Sequence, residues 1–331
     1  MSAAAPLAPV LEIGGTHVTA ALVDPVEQAV LPGSARRLPL DGEGTAARTV
    51  EAILGCGAGL AAGTGLPWGV ALPGPFDYEG GIALYTGVGK FDALHGTDLR
   101  AALMEGLPQR PGSVSFLNDA DAFLVGEWLS GAAAGSSRCA GITLGTGVGS
   151  AFLADGTLRE EGPGVPPEGR VDLLEIAGRP LEDVVSRRAL RAAYLRLAGQ
   201  DRAAPASGAN AAGPPDVDGI AALAAGGDPL AQSVLRTAFE ALGETLGPRL
   251  RDFGATVLVV GGSITGSWEL IGPMLRDGLM RTGGRDPEHL DVRVAARPDH
   301  AALIGAAWHA KSVAVQGKRG GFGKSTSAYN G

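Results

Sequence analysis

Two stretches of this chain repeat one pattern of apolar strand, glycine turn and apolar strand, and this repeat constrains the fold most strongly. The first reads LEIGGTHVTAALVD and the second ITLGTGVGSAFLAD, and without gaps Ile13 falls on Leu144 and Gly14 on Gly145. A glycine turn between two strands forms a hairpin whose backbone amides can surround an anion. The repeat predicts two domains of one fold, each opening with a phosphate-binding hairpin. The alternative is two unrelated β-hairpins.

Segments of strand type alternate with helical patterns along the rest of the chain, which predicts an α/β fold. The further predicted strands are residues 68–72, 114–117, 256–260 and 290–295. The predicted helices are 44–60, 99–106, 181–197, 229–253 and 301–311, a helix that follows Asp119, and one that starts at Ser267. Residues 199–218 are rich in Ala, Gly and Pro, which predicts a flexible surface insertion. With 331 residues the chain is long enough for two domains.

Composition excludes several classes of function. The net charge is −8 without a basic patch, so binding to nucleic acid is not expected. No run of eighteen apolar residues is present, and the N-terminus lacks the features of a signal peptide. Cys56 and Cys139 are isolated and the five histidines are scattered, so neither a disulfide nor a zinc site is predicted. We expect a cytoplasmic protein that binds small molecules and no membrane.

The strand at residues 114–117 ends on Asn118 and Asp119, and a helix begins directly after it. A carboxylate at this position lies at the edge of an α/β sheet where ligands usually bind. A base next to phosphate-binding hairpins predicts phosphoryl transfer, in which Asp119 accepts the proton of a hydroxyl group and Asn118 holds a neighbouring one. The alternative is that Asp119 merely caps the helix. Asp121 points elsewhere on a helix and is predicted to interact with the helix dipole.

A third glycine turn follows the strand at residues 256–260. Gly261 and Gly262 lie between that strand and a helix start, where the backbone can approach a ligand closely. Many α/β proteins have such a turn for packing alone, so its functional interpretation depends on the two hairpins.

These segments, in this order, resemble the ROK family of sugar kinases, within the superfamily of actin, hexokinase and the Hsp70 ATPase. The resemblance covers roughly residues 9 to 311. The segments that carry it are Glu12-Ile13-Gly14-Gly15-Thr16, Ala71-Leu72-Pro73-Gly74-Pro75, Asn118-Asp119-Ala120 with Gly126-Glu127, Leu144-Gly145-Thr146-Gly147-Val148-Gly149, Val260-Gly261-Gly262 and Ala302-Leu303-Ile304-Gly305-Ala306-Ala307. The first segment departs from the family, which usually has Asp where this chain has Glu12.

The resemblance implies an α/β fold with two actin-like ATPase (ribonuclease H-like) domains around an interdomain cleft. Residues 1–119 would form the N-terminal domain, and residues 120–299 a larger C-terminal domain. A closing helix at 300–315 would return to the N-terminal domain, and residues 316–331 would form a disordered tail. A homodimer is the family's usual state.

The resemblance further implies transfer of the γ-phosphate of ATP, with Mg²⁺, to the 6-hydroxyl of glucose or a closely related hexose. Asp119 would be the catalytic base, and sugar contacts would come from Gly74, Asn118, Asp119 and Glu168. The nucleotide and its Mg²⁺ would be bound by Glu12, Gly14, Gly15, Thr16, Gly145, Thr146, Gly147, Gly261 and Gly262.

The region around Glu168 departs most from the family. Members usually carry Glu-x-Gly-His and then a cysteine-rich zinc motif, whereas Gly169, Arg170 and Val171 follow Glu168 here and no such cysteines are present. No zinc is therefore expected. The change leaves room for an aminosugar of specialised metabolism, such as kanosamine, or for a non-catalytic sugar-binding protein. A transcriptional repressor of this family would need a DNA-binding domain before Leu11, which the sequence given does not contain.

Overall fold

A computed structural model describes residues 6–201, 215–282 and 290–320 of the chain. The described residues divide into two units. Unit 1 contains those up to Ser130 and from Asp299 onward, and unit 2 contains those from Gly131 to Pro298. Within the described ranges, no helix has the length and apolar character needed to cross a bilayer.

Unit 1 is built on a six-stranded sheet in the order β3-β2-β1-β5-β8, with β4 also paired to β2. Its strands are β1 (Ala8–Ile13), β2 (His17–Asp24), β3 (Ala29–Val30), β4 (Arg36–Pro39), β5 (Pro67–Leu72) and β8 (Ser113–Asn118). The first two strands form an antiparallel hairpin, whereas β1, β5 and β8 run parallel. A small separate ribbon joins β6 (Phe76–Asp77) to β7 (Ile82–Ala83).

Unit 2 contains a five-stranded sheet in the order β11-β10-β9-β14-β15. Its strands are β9 (Arg138–Leu144), β10 (Val148–Ala154), β11 (Thr157–Leu158), β14 (Val257–Gly261) and β15 (Asp291–Val294). Again the first two form an antiparallel hairpin and the first, fourth and fifth run parallel. The two sheets thus share one strand order, which confirms the prediction that the glycine-turn repeat marks two units of one fold. A two-stranded ribbon, β12 (Glu175–Ile176) with β13 (Arg179–Pro180), lies outside this sheet.

The helices in the described part of the chain cover the faces of these sheets. They are α1 (Ala46–Ala58), α2 (Leu99–Gly106), α3 (Asp119–Ser130), α4 (Glu182–Val185), α5 (Arg187–Asp201), α6 (Val217–Ala225), α7 (Pro229–Phe253), α8 (Trp268–Thr282) and α9 (Ala301–Gly320). Each unit buries its own apolar core, around Trp68 and Phe116 in unit 1 and around Phe152 and Phe239 in unit 2. Asp98 caps α2, because its carboxylate accepts a 2.8 Å hydrogen bond from the amide of Ala101.

Helix α9 returns to unit 1, and its packing on α3 explains where the first unit ends. A Cβ on Gly126 would lie 1.9 Å from the carbonyl oxygen of Ala301, and one on Gly305 would lie 1.9 Å from that of Ala122. These two glycines therefore let the backbones of the helices touch. Because α3 packs in this way, unit 1 continues to Ser130, whereas the sequence suggested a boundary after Asp119.

Three expectations about helices need correction. The helix expected over residues 181–197 is two helices, α4 and α5, because Ser186 has an extended backbone with ψ of 160°. The expected insertion at 199–218 overlaps the end of α5 and the start of α6, while its residues 202–214 lie outside the described residues. Helix α9 continues to Gly320, five residues into the expected tail, and residues 321–331 also lie outside the described residues.

Candidate active site

The carboxyl ends of three parallel strands gather the predicted catalytic residues of unit 1 at one sheet edge. Glu12 on β1 is level with Ala71 on β5, and Leu72 is level with Asn118 on β8. Asp119 follows immediately as the first residue of α3. Ligands of α/β proteins bind at this edge, beyond the ends of the parallel strands. The structure therefore brings the predicted base to the expected position within its unit.

Asp119 is a part-buried carboxylate at the junction of β8 and α3. One of its oxygens accepts a 2.9 Å hydrogen bond from the amide of Ala120. Burial raises the pKa of Asp119, and the nearby charge of Lys90 partly offsets that rise. A raised pKa makes a carboxylate a stronger base, which suits proton abstraction from a hydroxyl group.

Asn118, and not Asp119, caps α3, and its side chain also contacts Tyr78, which borders Gly74. Its carbonyl oxygen accepts a 2.9 Å bond from Ala120, while its amide nitrogen donates to the Tyr78 hydroxyl at 3.0 Å. Tyr78 donates in turn to the carbonyl of Leu72 at 3.2 Å. A Cβ on Gly74 would lie 3.5 Å from the same hydroxyl, so Gly74 and Asn118 both border Tyr78.

Glu12 carries a second carboxyl group at this edge whose pKa is raised. Burial, the charge of Asp119 and the charge of Asp299 raise the pKa of Glu12 to about 7, against a lowering by Arg37. Like charges that share a site disfavour ionisation of one another. A cation bound near Glu12 would relieve this repulsion, so the site has the donor chemistry for a hard metal ion.

The first glycine hairpin joins β1 to β2 through Gly14, Gly15 and Thr16. The amide of Gly14 donates to the carbonyl of His17 at 2.9 Å. The backbone at Gly42 packs against this turn, because the amide of Gly42 donates to the carbonyl of Gly15 at 3.1 Å. A Cβ on Gly42 would lie 2.6 Å from that carbonyl oxygen, so only glycine fits without displacing the turn.

The second hairpin, in unit 2, joins β9 to β10 through Gly145, Thr146 and Gly147. The amide of Gly145 donates to the carbonyl of Gly147 at 3.0 Å. Two residues from the α4–α5 region support this turn. A carboxylate oxygen of Glu182 accepts from the amide of Val148 at 3.2 Å, and the amide of Arg187 donates to the carbonyl of Gly145 at 2.9 Å.

The third glycine turn lies directly next to the second hairpin, because β14 pairs with β9 in parallel and sets Gly261 level with Thr143. Gly262 has φ of 90°, and a Cβ on it would lie 2.2 Å from the carbonyl oxygen of Leu144. This position therefore requires glycine on both steric and conformational grounds. Arg187 connects the two turns, because its amide donates to Gly145 while its guanidinium donates to the Ser263 hydroxyl at 2.9 Å and pairs with Asp216.

Glu168 lies in unit 2, in a short loop supported by β10. The Ser150 hydroxyl on that strand donates to the carbonyl of Gly169 at 2.6 Å and accepts from the amide of Val171 at 2.9 Å. Glu168 itself has φ of 57°, a left-handed conformation, and its side chain is 73% exposed. Its carboxylate lies 3.6 Å from Arg170. The expected contact of Glu168 with sugar hydroxyls stays a prediction.

Four further residues at these sites were not assigned from the sequence: Tyr78, Lys90, Glu182 and Arg187. Glu182 and Arg187 lie in Leu181-Glu182 and Ser186-Arg187-Arg188-Ala189-Leu190, which also resemble the family, so the resemblance was the available signal for both. The signal for Lys90 was a single cation after the glycines of Thr86-Gly87-Val88-Gly89. Tyr78 carries no sequence signal, because it reaches Asn118 through tertiary contacts alone.

Comparison with known proteins identifies the family. The model of the ROK family matches residues 10–313. The chain belongs to the ROK family. This confirms the membership predicted from the motifs, and solved ROK kinases share its fold, so the predicted actin-like ATPase fold class is confirmed as well.

Relatives in this family include both enzymes and regulators. The glucokinase of Thermotoga maritima is 28% identical over 230 residues, which cover 63% of this chain and 67% of that protein. A ROK family glucokinase from Streptomyces griseus, solved with glucose and AMPPNP, has a TM-score of 0.68 and 25% identity, covering 92% of this chain and 99% of that one. A ROK transcriptional regulator, a homologue of the E. coli MLC protein, has a TM-score of 0.72 and 21% identity, covering 93% of this chain and 78% of that one.

Proposed function

We propose that this protein is an ATP-dependent hexose kinase that transfers the γ-phosphate to the 6-hydroxyl of glucose or a closely related hexose. The observation that carries the proposal is the placement of Asp119, part-buried and with a raised pKa, at the same sheet edge as Glu12. The first glycine hairpin begins two residues after Glu12. A base and a phosphate-binding turn at one sheet edge are the requirements of phosphoryl transfer to an alcohol.

The chemistry of unit 1 follows from this arrangement. Asn118 and the backbone at Gly74 would bind sugar hydroxyls, and their shared neighbour Tyr78 would fix the Asn118 side chain. Asp119 would orient the reacting hydroxyl and accept its proton as the new P–O bond forms. The turn formed by Gly14, Gly15 and Thr16 would bind the phosphates of the donor.

We assign nucleotide binding in unit 2 to its two glycine turns. Gly145, Thr146 and Gly147 would bind phosphate oxygens, and Gly261 and Gly262 would lie against the adenosine. Support comes from the adjacency of the turns on paired strands, and from Arg187, whose amide contacts Gly145 and whose side chain contacts Ser263. The S. griseus relative contains AMPPNP, a nonhydrolysable analogue of ATP.

Mg²⁺ fits the residues around Glu12. Among the described residues, no group of three or more His, Cys, Asp or Glu side chains is arranged to hold a metal ion alone. Mg²⁺ normally needs only one or two carboxylates, because phosphates and waters complete its coordination. Glu12, whose pKa is raised by burial and by neighbouring carboxylates, would be the protein's contribution. When bound, the ion would neutralise charge on the donor phosphates.

A phosphorylation screen tests the proposal. Purified protein is incubated with ATP, Mg²⁺ and glucose, mannose, glucosamine, N-acetylated sugars or kanosamine, and ADP release is followed by a coupled assay. We expect sugar-dependent ADP release that is lost in Asp119→Asn, with the product phosphate located on the 6-oxygen by NMR. Sugar binding without ADP release would instead establish a non-catalytic sugar-binding or regulatory protein.

A specific feature of unit 2 favours an aminosugar as the second candidate. Glu168 and Asp172 both contact Arg170, so two carboxylates surround one guanidinium and leave an excess negative charge. The Glu168 carboxylate is largely exposed and can accept from an ammonium group. In the screen, an aminosugar kinase would show a higher kcat/KM for kanosamine or glucosamine than for glucose, and Glu168→Gln would remove that preference.

We further propose that the enzyme works in the cytoplasm as a homodimer. Sedimentation of the purified protein tests the dimer, because a species of twice the 33.2 kDa chain mass is expected.

A further inference from the structure

Lys90 lies against the first glycine hairpin and close to the predicted base, and no role has been given to it. Its Cδ atom lies 3.1 Å from the place where a Cβ on Gly15 would be. Its charge is near enough to Asp119 to lower the pKa of that carboxyl. Within residues 6–201, 215–282 and 290–320, Lys90 forms no ion pair within 4 Å. Lys90 is therefore close to both the first glycine hairpin and the proposed base Asp119, and it forms an ion pair with neither.

The backbone around Lys90 is fixed to the hairpin. The amide of Phe91 donates to the carbonyl of Gly42 at 2.5 Å, and the amide of Gly42 donates to the carbonyl of Gly15. Phe91 is 1% exposed and its ring lies 5.3 Å from that of Tyr85. Its φ of 61° is unusual for a bulky residue and persists only where the surroundings impose it. The buried Phe91 therefore fixes the backbone next to Lys90 and keeps the lysine side chain against Gly15.

The same loop is closed on its other side by Asp92. Its carboxylate accepts from the amide of Val88 at 3.1 Å and from that of Gly89 at 3.4 Å. Because Asp92 is satisfied by these amides, it does not compete for the Lys90 ammonium. The loop thus presents a single cation from a closed turn, which is how a protein prepares a charge before its ligand arrives.

The electrostatics around Lys90 indicate what it binds. Glu12, Asp119 and Asp299 place three carboxylates near one another, as the raised pKa of Glu12 records. A triphosphate whose terminal group must approach Asp119 would be repelled by this cluster. A lysine between Gly15 and Asp119 offsets that repulsion at the place where the terminal phosphate has to lie.

We propose that Lys90 is a catalytic residue that contacts the terminal phosphoryl group of the donor during its transfer. The proposal rests on the proposed kinase function. In the step, the bond between the terminal phosphorus and the β–γ bridging oxygen breaks, and its electron pair stays on the nucleoside diphosphate. The sugar oxygen forms the new bond to phosphorus, and its proton passes to Asp119. Lys90 stays protonated and neutralises charge on the moving group.

Binding measurements test this contact without requiring turnover. Titration calorimetry with MgAMP-PNP and with MgADP compares the wild type with Lys90→Met. We expect the affinity for AMP-PNP to fall about tenfold, because one charged contact to the terminal phosphate is lost. The affinity for ADP should stay within about twofold, because ADP lacks that phosphate. Lys311→Met removes a lysine on α9 in the same unit and should change neither affinity.

Kinetics separate this role from a structural one. In Lys90→Met we expect kcat to fall about 100-fold while KM for the sugar changes little. Alkylation of Lys90→Cys with 2-bromoethylamine recreates an ammonium group at this position and should restore most of kcat. Cys56 and Cys139 are buried, so the new thiol reacts selectively in the folded protein.

Two results would overturn the proposal. The first is equal loss of AMP-PNP and ADP affinity in Lys90→Met, which would show a general structural effect. The second is an unchanged AMP-PNP affinity together with an unchanged kcat. Failure of the kinase function has a different signature, because the wild type would then release no ADP with any sugar while the selective loss of AMP-PNP affinity in Lys90→Met persisted. A wild type that binds neither nucleotide would contradict both.

Discussion

The two glycine hairpins have the same place in the same sheet order, yet their surroundings differ in kind. Around the first hairpin the structure gathers charge: Glu12, Asp119 and Lys90 all lie near its turn. Around the second it gathers hydrogen bonds from Glu182 and Arg187 that hold the turn itself. For the proposed kinase we therefore expect a division of labour, in which unit 1 performs the chemistry and unit 2 holds the nucleotide.

The turns differ in their pairing as well. Ile13 pairs with Val18 across the first turn, whereas Leu144 pairs with Val148 across the second. The first loop is therefore one residue wider, and it closes through Gly14 to His17 instead of Gly145 to Gly147. An alignment without gaps places the glycines correctly but cannot show this shift, because register depends on which backbone groups pair.

The largest expected effect comes from removing the base beside the first hairpin. Asp119→Asn keeps the size and the hydrogen bond to Ala120 but loses the proton acceptor. We expect kcat to fall about 1,000-fold while KM for the sugar changes little. Steady-state kinetics with the best sugar of the screen measure both constants.

The matched control is Asp121→Asn, two residues further along α3 and thus on a different side of the helix. It should retain nearly normal kcat. Comparable losses in both variants would mean that the start of α3, and not the Asp119 carboxylate, is what turnover requires.

The next effect is on the stability of the second hairpin. Gly262→Ala places a Cβ 2.2 Å from the carbonyl oxygen of Leu144 at a φ of 90°. We expect the free energy of unfolding to fall by about 3 kcal/mol, through steric clash and backbone strain together. Denaturation in urea measures the loss. Gly266→Ala, where a Cβ meets no atom within 4 Å, should change stability by less than about 1 kcal/mol.

The pH dependence of stability tests the charge around the first hairpin. The pKa of Glu12 is raised from 4.5 to about 7, so the folded state holds this proton more tightly than the unfolded state. The contribution of Glu12 to stability is therefore favourable below pH 4.5 and is lost as pH rises towards about 7. Glu12→Gln removes this loss. We expect the variant to gain about 2 kcal/mol over the wild type near pH 8, and the gain to vanish at pH 4.

Urea denaturation of both proteins between pH 4 and pH 8 gives this difference directly. Glu51→Gln, which removes a carboxylate from the exposed face of α1, controls for the loss of one charge in unit 1. A stability difference between wild type and Glu12→Gln that stays constant over the range would refute the raised pKa of Glu12. The same variant should lose kinase activity if Glu12 contributes to Mg²⁺ binding.

The sequence predicted the strands, the glycine turns and the position of Asp119, but it did not predict the residues that contact those turns. Strands, turns and Asp119 follow from local patterns of apolar and glycine residues, so β1, β5 and β8 were all recognised. Gly42 and Lys90 reach the first hairpin only through tertiary contacts, which no local pattern encodes. The break at Ser186 was missed because its neighbours on both sides have helical character, and the apolar periodicity runs through it.

The smallest expected effect concerns the residue that connects the two glycine turns of unit 2. Arg187 is 24% exposed, donates to Ser263 at 2.9 Å and pairs with Asp216, whereas the neighbouring Arg188 is 71% exposed. We expect Arg187→Met to lower the free energy of unfolding by about 1 kcal/mol, and Arg188→Met by less than about 0.5 kcal/mol. Because the Arg187 side chain contacts Ser263 and Asp216 of unit 2, its loss should weaken ADP binding while leaving the affinity for sugar unchanged. A weaker sugar affinity in Arg187→Met would show that the two hairpins do not divide their labour as their surroundings suggest.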